Sequence, residues 1–290
     1  MKASARPVVF GYLFFAPFLI AFLAFRIGPF AHSVWLTFHE WAVFSDPVFI
    51  GLDNFRELLT TPRFWYSLRN TLYFTVLTVP PLVVIGFVFA VVTNGNVYWK
   101  SFFRFFYFLP YILSVSVVCL VWLLLLNRSY GLMNAILRSI GLEGIPWLNS
   151  PRYAMISIAI TTIWWTYGFN FLIYLSALQQ IPPSLYEAAE MDGAGPVQRL
   201  FRITVPMLRH AHGLVVVLQI IASLQIFAQV YIMTGGGPGG HTRVVIQYIY
   251  DEGFRFFNMG YAQSAAFVFF LMMIGIAFLQ VKLMIDKGDN

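Results

Sequence analysis

Two sets of side chains in this sequence have the types and spacing needed to bind a ligand. Thr162, Thr166, Phe169 and Asn170 recur at helical spacing in one apolar stretch, and Gln219, Ala222, Ser223 and Ile226 do so in a later one. Residues three, four and seven positions apart share one face of a helix, so each set forms a stripe. Amides and hydroxyls bind hydroxyl groups, and aromatic rings pack on the C–H faces of sugars. The pattern favours a neutral polyol as the ligand.

The same polar residues have a second interpretation. Ser, Thr, Asn and Gln commonly hold neighbouring membrane helices together by hydrogen bonds. For any single residue, the sequence favours a role in ligand binding and a role in holding helices together equally. The two stripes flank one polar segment on both sides, which favours a substrate pathway for the pair. Pro110 predicts a kink in a further apolar stretch and places Tyr111 near that pathway.

Several kinds of chemistry lack the residues they need. The sequence has no His-Glu-x-x-His, Cys-x-x-Cys or Gly-x-Ser-x-Gly motif and no paired carboxylates in its apolar stretches, so we predict no catalytic residues and no metal site. His210 and His212 lie at the start of the fifth predicted span and are interpreted as interfacial rather than as metal ligands. The glycine-rich stretch 234–240 lacks the lysine of a phosphate-binding loop. Charged residues, which ion-driven carriers place along their path, are missing from the span interiors.

Composition identifies an integral membrane protein. Of 290 residues, 59% are hydrophobic and 10% are charged, whereas about a quarter of a soluble domain is charged. A hydrocarbon core of roughly 30 Å needs about 20 apolar residues per helix. We therefore predict an all-α membrane protein with one transmembrane domain over residues 1–290. Its six predicted spans are about 8–26, 70–93, 104–126, 153–178, 209–232 and 262–284. All four lysines fall on one side of these spans, which indicates that both termini are cytoplasmic.

The polar segment 181–208 lies between the fourth and fifth predicted spans. Pro182 and Pro183 end the preceding helix, and Ser184 followed by Glu187 predicts a capping box with a new helix from about Leu185. Gly193 and Gly195 end this short helix, and Pro196 suits the first turn of another. The prediction is a helix, a glycine turn and a second helix at the membrane surface.

This segment resembles the EAA loop of the permease subunits of bacterial ABC importers. The family pattern is Glu-Ala-Ala, a Gly six residues after the Glu, an Ile ten further on, and a Leu-Pro. Here it appears as Glu187-Ala188-Ala189, Gly193, Ile203 and Val205-Pro206, with Val205 in place of Leu. The longer string Glu-Ala-Ala-Glu-Met-Asp-Gly-Ala resembles the carbohydrate-importing branch, which includes the maltose and glycerol-phosphate permeases.

The resemblance implies a type I ABC importer permease fold in the bacterial inner membrane, with a short cytoplasmic coupling helix. It implies a non-enzymatic transport subunit with no cofactor of its own. Its partners would be a second homologous permease, two ATPase subunits that bind ATP and Mg, and an external solute-binding protein. The residues coupling it to the ATPases would be Tyr186, Glu187, Ala188, Ala189, Glu190, Asp192 and Gly193.

We expect import of a sugar or related polyol. The alternatives are a non-sugar cargo, such as glycerol phosphate or an amino acid, and a membrane enzyme or scaffold. A positively charged residue in the spans would favour an anionic cargo, and a polar catalytic dyad would favour an enzyme. The substrate pathway would include Tyr111, Thr162, Thr166, Phe169, Asn170, Gln219 and Ser223.

Overall fold

A computed structural model describes residues 6–42, 45–95 and 99–286, and these residues are mostly helical. Lys2 and Lys287, used above to orient the chain, lie outside the described residues. The α-helices are α1 Arg6–Phe22, α2 Gly28–Leu36, α3 Asp53–Thr60, α4 Pro62–Asn94, α5 Lys100–Ile112, α6 Val115–Leu125, α7 Leu132–Ser139, α8 Ala154–Leu178, α9 Pro183–Met191, α10 Pro196–Arg199, α11 Val205–Met207, α12 Arg209–Leu224, α13 Ala228–Met233, α14 Val245–Tyr250 and α15 Met259–Asp286. π-Helical turns cover Leu23–Ile27, Leu200–Thr204 and Asp251–Arg255. Two short antiparallel strands, β1 His39–Glu40 and β2 Val48–Phe49, pair with each other.

The chain divides into two compact units: Met1–Phe64 with Ile249–Leu271, and Trp65–Tyr248 with Met272–Asn290. In the first unit, the buried amide of Asn54 donates to the backbone oxygens of Thr37 and His39, each at 3.0 Å. The hydroxyl of Ser264 donates to the same Thr37 oxygen at 3.1 Å. These bonds tie α3 and α15 to the chain that follows α2. On α3, the side chain of Leu58 is fully buried.

Four stretches of helix in the described part of the chain are long and apolar enough to cross a membrane: Phe14–Leu36, Pro62–Asn94, Ala154–Leu178 and Met259–Lys282. The number rises to six if two bent pairs each count as one span. One pair is α5 with α6, which meet at 94°, and the other joins Pro196–Met207 to α12 at 65°. The six-span topology therefore stays a prediction, and the third and fifth predicted spans are interrupted helices.

The interruption between α5 and α6 falls at Leu113 and Ser114, three and four residues after Pro110. Both residues are extended, with ψ of 144° and 145°, so the chain turns more sharply than a proline kink alone requires. Ser114 caps α6 by accepting a bond from the backbone N–H of Val117 at 3.4 Å. The freed carbonyl of Leu113 accepts a bond from the Trp165 indole at 3.0 Å. A side-chain donor of the protein thus satisfies a backbone group that lipid could not.

The segment 181–208 forms the helix, turn and helix that its sequence predicts, but the expected start of α9 is wrong. The helix begins at Pro183 rather than near Leu185, and its N-cap, Pro182, has no side-chain cap. Proline suits the first helical position because its fixed φ is already helical and its missing N–H has no partner to lose there. Ser184 therefore lies within the first turn, and the predicted capping box with Glu187 does not form.

Candidate functional site

Helix α8 packs unusually close to α4 and α5 because two glycines remove side chains from the contacts. A Cβ on Gly86 of α4 would lie 2.7 Å from the Cβ of Asn170 on α8. A Cβ on Gly168 of α8 would overlap the Tyr107 oxygen and lie 3.0 Å from the Cα of Phe108, both on the α5 backbone. Neither backbone can yield as a flexible side chain can. The two glycines therefore fix the distance of α4 and α5 from α8.

A cavity of about 370 Å³ lies beside these contacts. Five helices contribute to its wall, and Ile226 contributes from the break between α12 and α13. The lining residues are Phe74, Leu82, Tyr111, Thr162, Trp165, Thr166, Phe169, Leu218, Gln219, Ala222, Ser223, Ile226 and Gln229. No Asp, Glu, Lys, Arg or His is among these thirteen described residues. The wall combines neutral hydrogen-bonding groups with aromatic rings.

Six of the seven residues predicted for a substrate pathway line this cavity: Tyr111, Thr162, Thr166, Phe169, Gln219 and Ser223. The rings of Tyr111 and Phe169 stack with centroids 5.4 Å apart and an interplanar angle of 25°. The seventh residue, Asn170, is fully buried and is absent from the lining. It lies one residue beyond Phe169 on α8 and is bonded to Gln219 of α12 and Leu82 of α4.

The polar groups of the wall are largely bonded to the chain itself. The Gln219 amide donates to the Asn170 oxygen at 2.7 Å, and the Asn170 amide donates to the Leu82 backbone oxygen at 3.3 Å. The hydroxyls of Ser223 and Thr78 are 3.0 Å apart. Gln219 and Ser223 therefore line the cavity and also connect α12 to α8 and α4. The bonds between helices therefore do not conflict with the predicted pathway, which stays a prediction for these two residues.

Two wall residues with hydrogen-bonding side chains, Trp165 and Gln229, were not predicted for the pathway. Trp165 donates a hydrogen bond to the carbonyl that is freed at the α5–α6 break. No pattern in the sequence predicts this contact. Gln229 continues the periodicity of Gln219, Ala222, Ser223 and Ile226 by three residues, so the extended stripe was a usable signal.

A second polar contact lies between the cavity and the segment 181–208. Tyr174 of α8 is fully buried, and its hydroxyl lies 2.9 Å from Nδ1 of His212 in the first turn of α12. The Phe87 ring of α4 meets both rings edge to face, with centroids 5.7 Å from Tyr174 and 5.3 Å from His212. The cluster links α4, α8 and α12, which are three of the five helices that line the cavity.

We use the term hairpin for residues 181–208. Two contacts brace it: the hydroxyls of Tyr186 and Thr204 are 3.0 Å apart, and Arg199 forms a 3.0 Å ion pair with Glu190. Gly193 turns the chain with φ of 79°, in the left-handed region that favours glycine. Tyr186 and Glu190, predicted as contacts for a partner, thus also make contacts within the hairpin.

The other predicted coupling residues differ in exposure. Glu187, Ala188, Asp192 and Gly193 are exposed, and Ala189 is half-buried. Met191 is 89% exposed although it is apolar, and Val197 and Phe201 are similarly uncovered. The hairpin therefore presents a surface of carboxylates and apolar side chains on a braced backbone. Within the described ranges, no group of three or more His, Cys, Asp or Glu side chains is placed to hold a metal ion.

Comparison with known proteins identifies the family. The family model described as "Binding-protein-dependent transport system inner membrane component" matches residues 59–287. The chain belongs to this family. A probable ABC transporter permease of Bacillus subtilis, YurN, is 35% identical over 93% of this chain and 94% of its own. The sulfoquinovosyl glycerol permease SmoG of Agrobacterium fabrum is 34% identical over 95% and 90%. The trehalose/maltose permease MalF of Thermococcus litoralis is 32% identical over 99% and 96%.

The fold is that of a solved importer. A chain of the bacterial alginate ABC transporter, crystallised with an alginate-bound periplasmic protein, superposes with a TM-score of 0.84 at 24% identity, covering 95% of this chain and 94% of that one. The permease family predicted from Glu187-Ala188-Ala189 and Gly193 is confirmed, as is the type I ABC importer permease fold. This member of the family is a transport subunit rather than an enzyme.

Proposed function

We propose that this chain is a permease subunit of a sugar-importing ABC transporter in a bacterial inner membrane. The observation that carries the proposal is the uncharged cavity lined by amides, hydroxyls and stacked aromatic rings. Relatives named for trehalose, maltose and arabinooligosaccharides support a sugar as the cargo. The alternative cargoes, an amino acid or glycerol phosphate, carry charge that this wall would leave uncompensated at a high cost in free energy.

The cavity is proposed as the substrate pathway, with Tyr111, Thr162, Thr166, Phe169, Gln219 and Ser223 in its wall and Asn170 behind it. Ala222 provides a clean test because it lines the cavity without a polar side chain of its own. Ala222→Trp would fill part of about 370 Å³. We expect it to abolish sugar uptake in the assembled importer. Leu214→Trp is the matched control, since Leu214 lies on the same helix, is 47% exposed and is not in the wall.

The hairpin is proposed as the cytoplasmic coupling element. Tyr186, Glu187, Ala188, Ala189, Glu190, Asp192 and Gly193 form its predicted contact with an ATPase subunit. The exposed Ala188 and half-buried Ala189 keep α9 slim enough to enter a groove, and the exposed Glu187 can pair with a basic residue there. ATP binding would close the ATPases, move the hairpin and shift the spans from inward-facing to outward-facing.

Reversing the charge of Glu187 tests this assignment. We expect Glu187→Lys to abolish uptake while the permease still inserts in the membrane and the external protein still captures sugar. ATPase activity and uptake should be measured together in reconstituted vesicles. Coupled activity equal to that of the parent would mean that the hairpin is only a connector.

The assembly is proposed to contain this chain, a second homologous permease, two ATPase subunits with ATP and Mg, and a solute-binding protein. Six spans with both termini in the cytoplasm complete the proposal. Single cysteines at Ser184, in the hairpin, and Ser139, at the end of α7, test the topology, because both positions are exposed. An impermeant thiol reagent should label them from opposite sides of the membrane. Labelling from the same side would overturn the topology.

A further inference from the structure

Most hydrogen-bonding groups in the cavity wall already have partners in the chain. Gln219 is bonded to Asn170, Ser223 to Thr78 and Trp165 to the Leu113 carbonyl. The Thr162 and Thr166 hydroxyls donate to the backbone oxygens four residues earlier, at 2.9 and 2.7 Å. These groups hold the wall together, and their bonds reduce what they can offer to a cargo.

The Gln229 amide is different. Gln229 lines the cavity and is half-buried, and among the described residues its side chain has no hydrogen bond, ion pair or ring contact. An amide at membrane depth is costly unless water or a polar partner meets it. Because the chain supplies no partner, the amide must be satisfied from the cavity. It carries both donors and an acceptor, which matches a sugar hydroxyl, itself a donor and an acceptor.

Gln229 is also held in place by its neighbours. The chain leaves helical geometry between α12 and α13, and Gln229 is the second residue of α13. The next residue, Val230, is fully buried, and Met233 is buried one turn later. Both belong to a core that includes Val118 and Trp122 of α6. The amide therefore projects from an anchored helix, as a residue that fixes the orientation of a ligand must.

We propose that Gln229 contacts the sugar and determines which sugars the importer accepts. The proposal rests on the cavity being the substrate pathway, and it extends the wall beyond the stripe that ends at Ile226. When water leaves the cavity, only a hydroxyl of the cargo can take over the hydrogen bonds that water made to the Gln229 amide. Sugars that place a hydroxyl at this amide are accepted, and analogues lacking it leave the amide unpaired and are rejected.

The first experiment needs no knowledge of the cargo. Gln229→Cys is made in the full importer, where the natural Cys119 is fully buried. A small, charged methanethiosulfonate reagent is applied with and without ATP and vanadate. We expect rapid modification in at least one of these states. Leu124→Cys is the control. Leu124 is apolar, 61% exposed and outside the wall, and it lies in the third predicted span. Lipid should therefore keep the charged reagent away from this cysteine, which should stay unmodified. An unreactive Gln229→Cys in both states would overturn the proposal.

The second experiment measures uptake of radiolabelled maltose, trehalose and arabinotriose by the parent, Gln229→Met and Gln219→Met. Methionine keeps the length of glutamine without its amide. For any of these sugars that is carried, we expect Gln229→Met to raise the KM by about five- to tenfold, as loss of one hydrogen bond predicts, with unchanged thermal stability. Gln229→Asn should recover part of the loss. Gln219→Met should instead lower thermal stability, because it leaves the side-chain oxygen of the buried Asn170 without its donor.

The outcomes separate this proposal from the one it rests on. If Ala222→Trp blocks uptake while Gln229→Met leaves every KM unchanged, the cavity is the pathway and Gln229 is not a contact. If Ala222→Trp transports normally, the cavity assignment itself is wrong. A loss of stability in Gln229→Met equal to that in Gln219→Met would make Gln229 a packing residue and overturn the proposal.

Discussion

The hairpin and the cavity wall both depend on glycine, but for opposite physical reasons. At Gly193 in the hairpin, a Cβ would meet nothing within 4 Å, and the need for glycine comes from a φ of 79°. At Gly168 in α8, the backbone is helical, and the need comes from the α5 backbone in the space a Cβ would occupy. Gly193 is needed for its backbone conformation, and Gly168 is needed for the short distance between α8 and α5. Substitutions at the two sites should therefore fail in different ways.

The polar groups of the two regions also differ in their exposure and in their hydrogen bonding. Glu187 and Asp192 of the hairpin are exposed. Gln219 and Ser223 of the wall are buried and bonded to Asn170 and Thr78. The proposed role of the hairpin in docking agrees with charges that point outward, whereas a wall within the membrane satisfies its neutral groups internally. The following predictions test this contrast, from the largest expected effect to the smallest.

Gly168→Leu should have the largest effect, because it separates α8 from α5. Overpacking a rigid helix contact costs about 1–3 kcal/mol of stability. Because neither the α8 nor the α5 backbone can move aside, we expect a cost at or above the upper end of this range. We expect little folded importer and a strongly lowered melting temperature in detergent. Gly275→Leu is the control, since a Cβ on Gly275 of α15 meets nothing within 4 Å. Equal stability of the two variants would contradict the close-packing argument.

Gly193→Val should leave the permease folded and abolish coupled transport. A β-branched residue at positive φ costs roughly 1–2 kcal/mol, which the hairpin relieves by changing its turn. ATP hydrolysis should then continue without uptake in reconstituted vesicles. Gly195→Ala should be tolerated, because Gly195 has φ of −70° and open space around it. Gly193→Asn should retain partial activity, since Asn accepts positive φ. Full coupling in Gly193→Val would remove the conformational role of the glycine.

Tyr174→Phe should have an intermediate effect. It deletes the hydroxyl that lies 2.9 Å from Nδ1 of His212, and Nε2 of that ring is buried without a partner in the described structure. The expected loss of stability is about 1 kcal/mol, the usual net value for such a bond in proteins and membranes. Thermal unfolding of the purified importer measures it. His212→Phe combined with Tyr174→Phe should cost less than the sum of the single variants, and strict additivity would rule out a direct bond.

Glu190→Gln should have the smallest effect on stability. The Glu190–Arg199 ion pair joins side chains that are 70% and 24% exposed, and such surface pairs contribute about 0–1 kcal/mol. We expect a melting temperature close to that of the parent and uptake far above that of Glu187→Lys. Uptake as low as in Glu187→Lys would contradict this prediction and show that the charge of Glu190 matters as much to the proposed ATPase contact as that of Glu187.

The sequence predicted the elements whose causes are local. Long apolar runs predicted the helices Pro62–Asn94, Ala154–Leu178 and Met259–Lys282 to within a few residues at most ends. Helical spacing placed Thr162, Thr166, Gln219 and Ser223 on faces that meet at one cavity. The turn at Gly193 followed from glycine chemistry. Each prediction needed only the residues of one element.

The features that depend on neighbouring helices were not predictable in the same way. The break after Leu224 has no proline or glycine to announce it, and the sharp turn at Leu113 becomes tolerable only because Trp165 supplies a donor. Asn170 shares a stripe with Phe169, yet a small rotation of α8 decides that one lines the cavity and the other faces Gln219. Helix rotation depends on packing at Gly86 and Gly168, and spacing along the chain does not encode it.

The uncharged cavity wall has a consequence for the timing of transport. A neutral hydrogen bond contributes only about 0.5–1.5 kcal/mol net, so as the proposed substrate pathway a wall without ions would hold its cargo weakly and briefly. Differences in affinity reside mostly in dissociation rates, so a weakly held sugar leaves quickly once the cavity opens inward. High-affinity capture then belongs to the external binding protein. We expect the turnover of the importer to be limited by the movement of the hairpin rather than by release of the cargo.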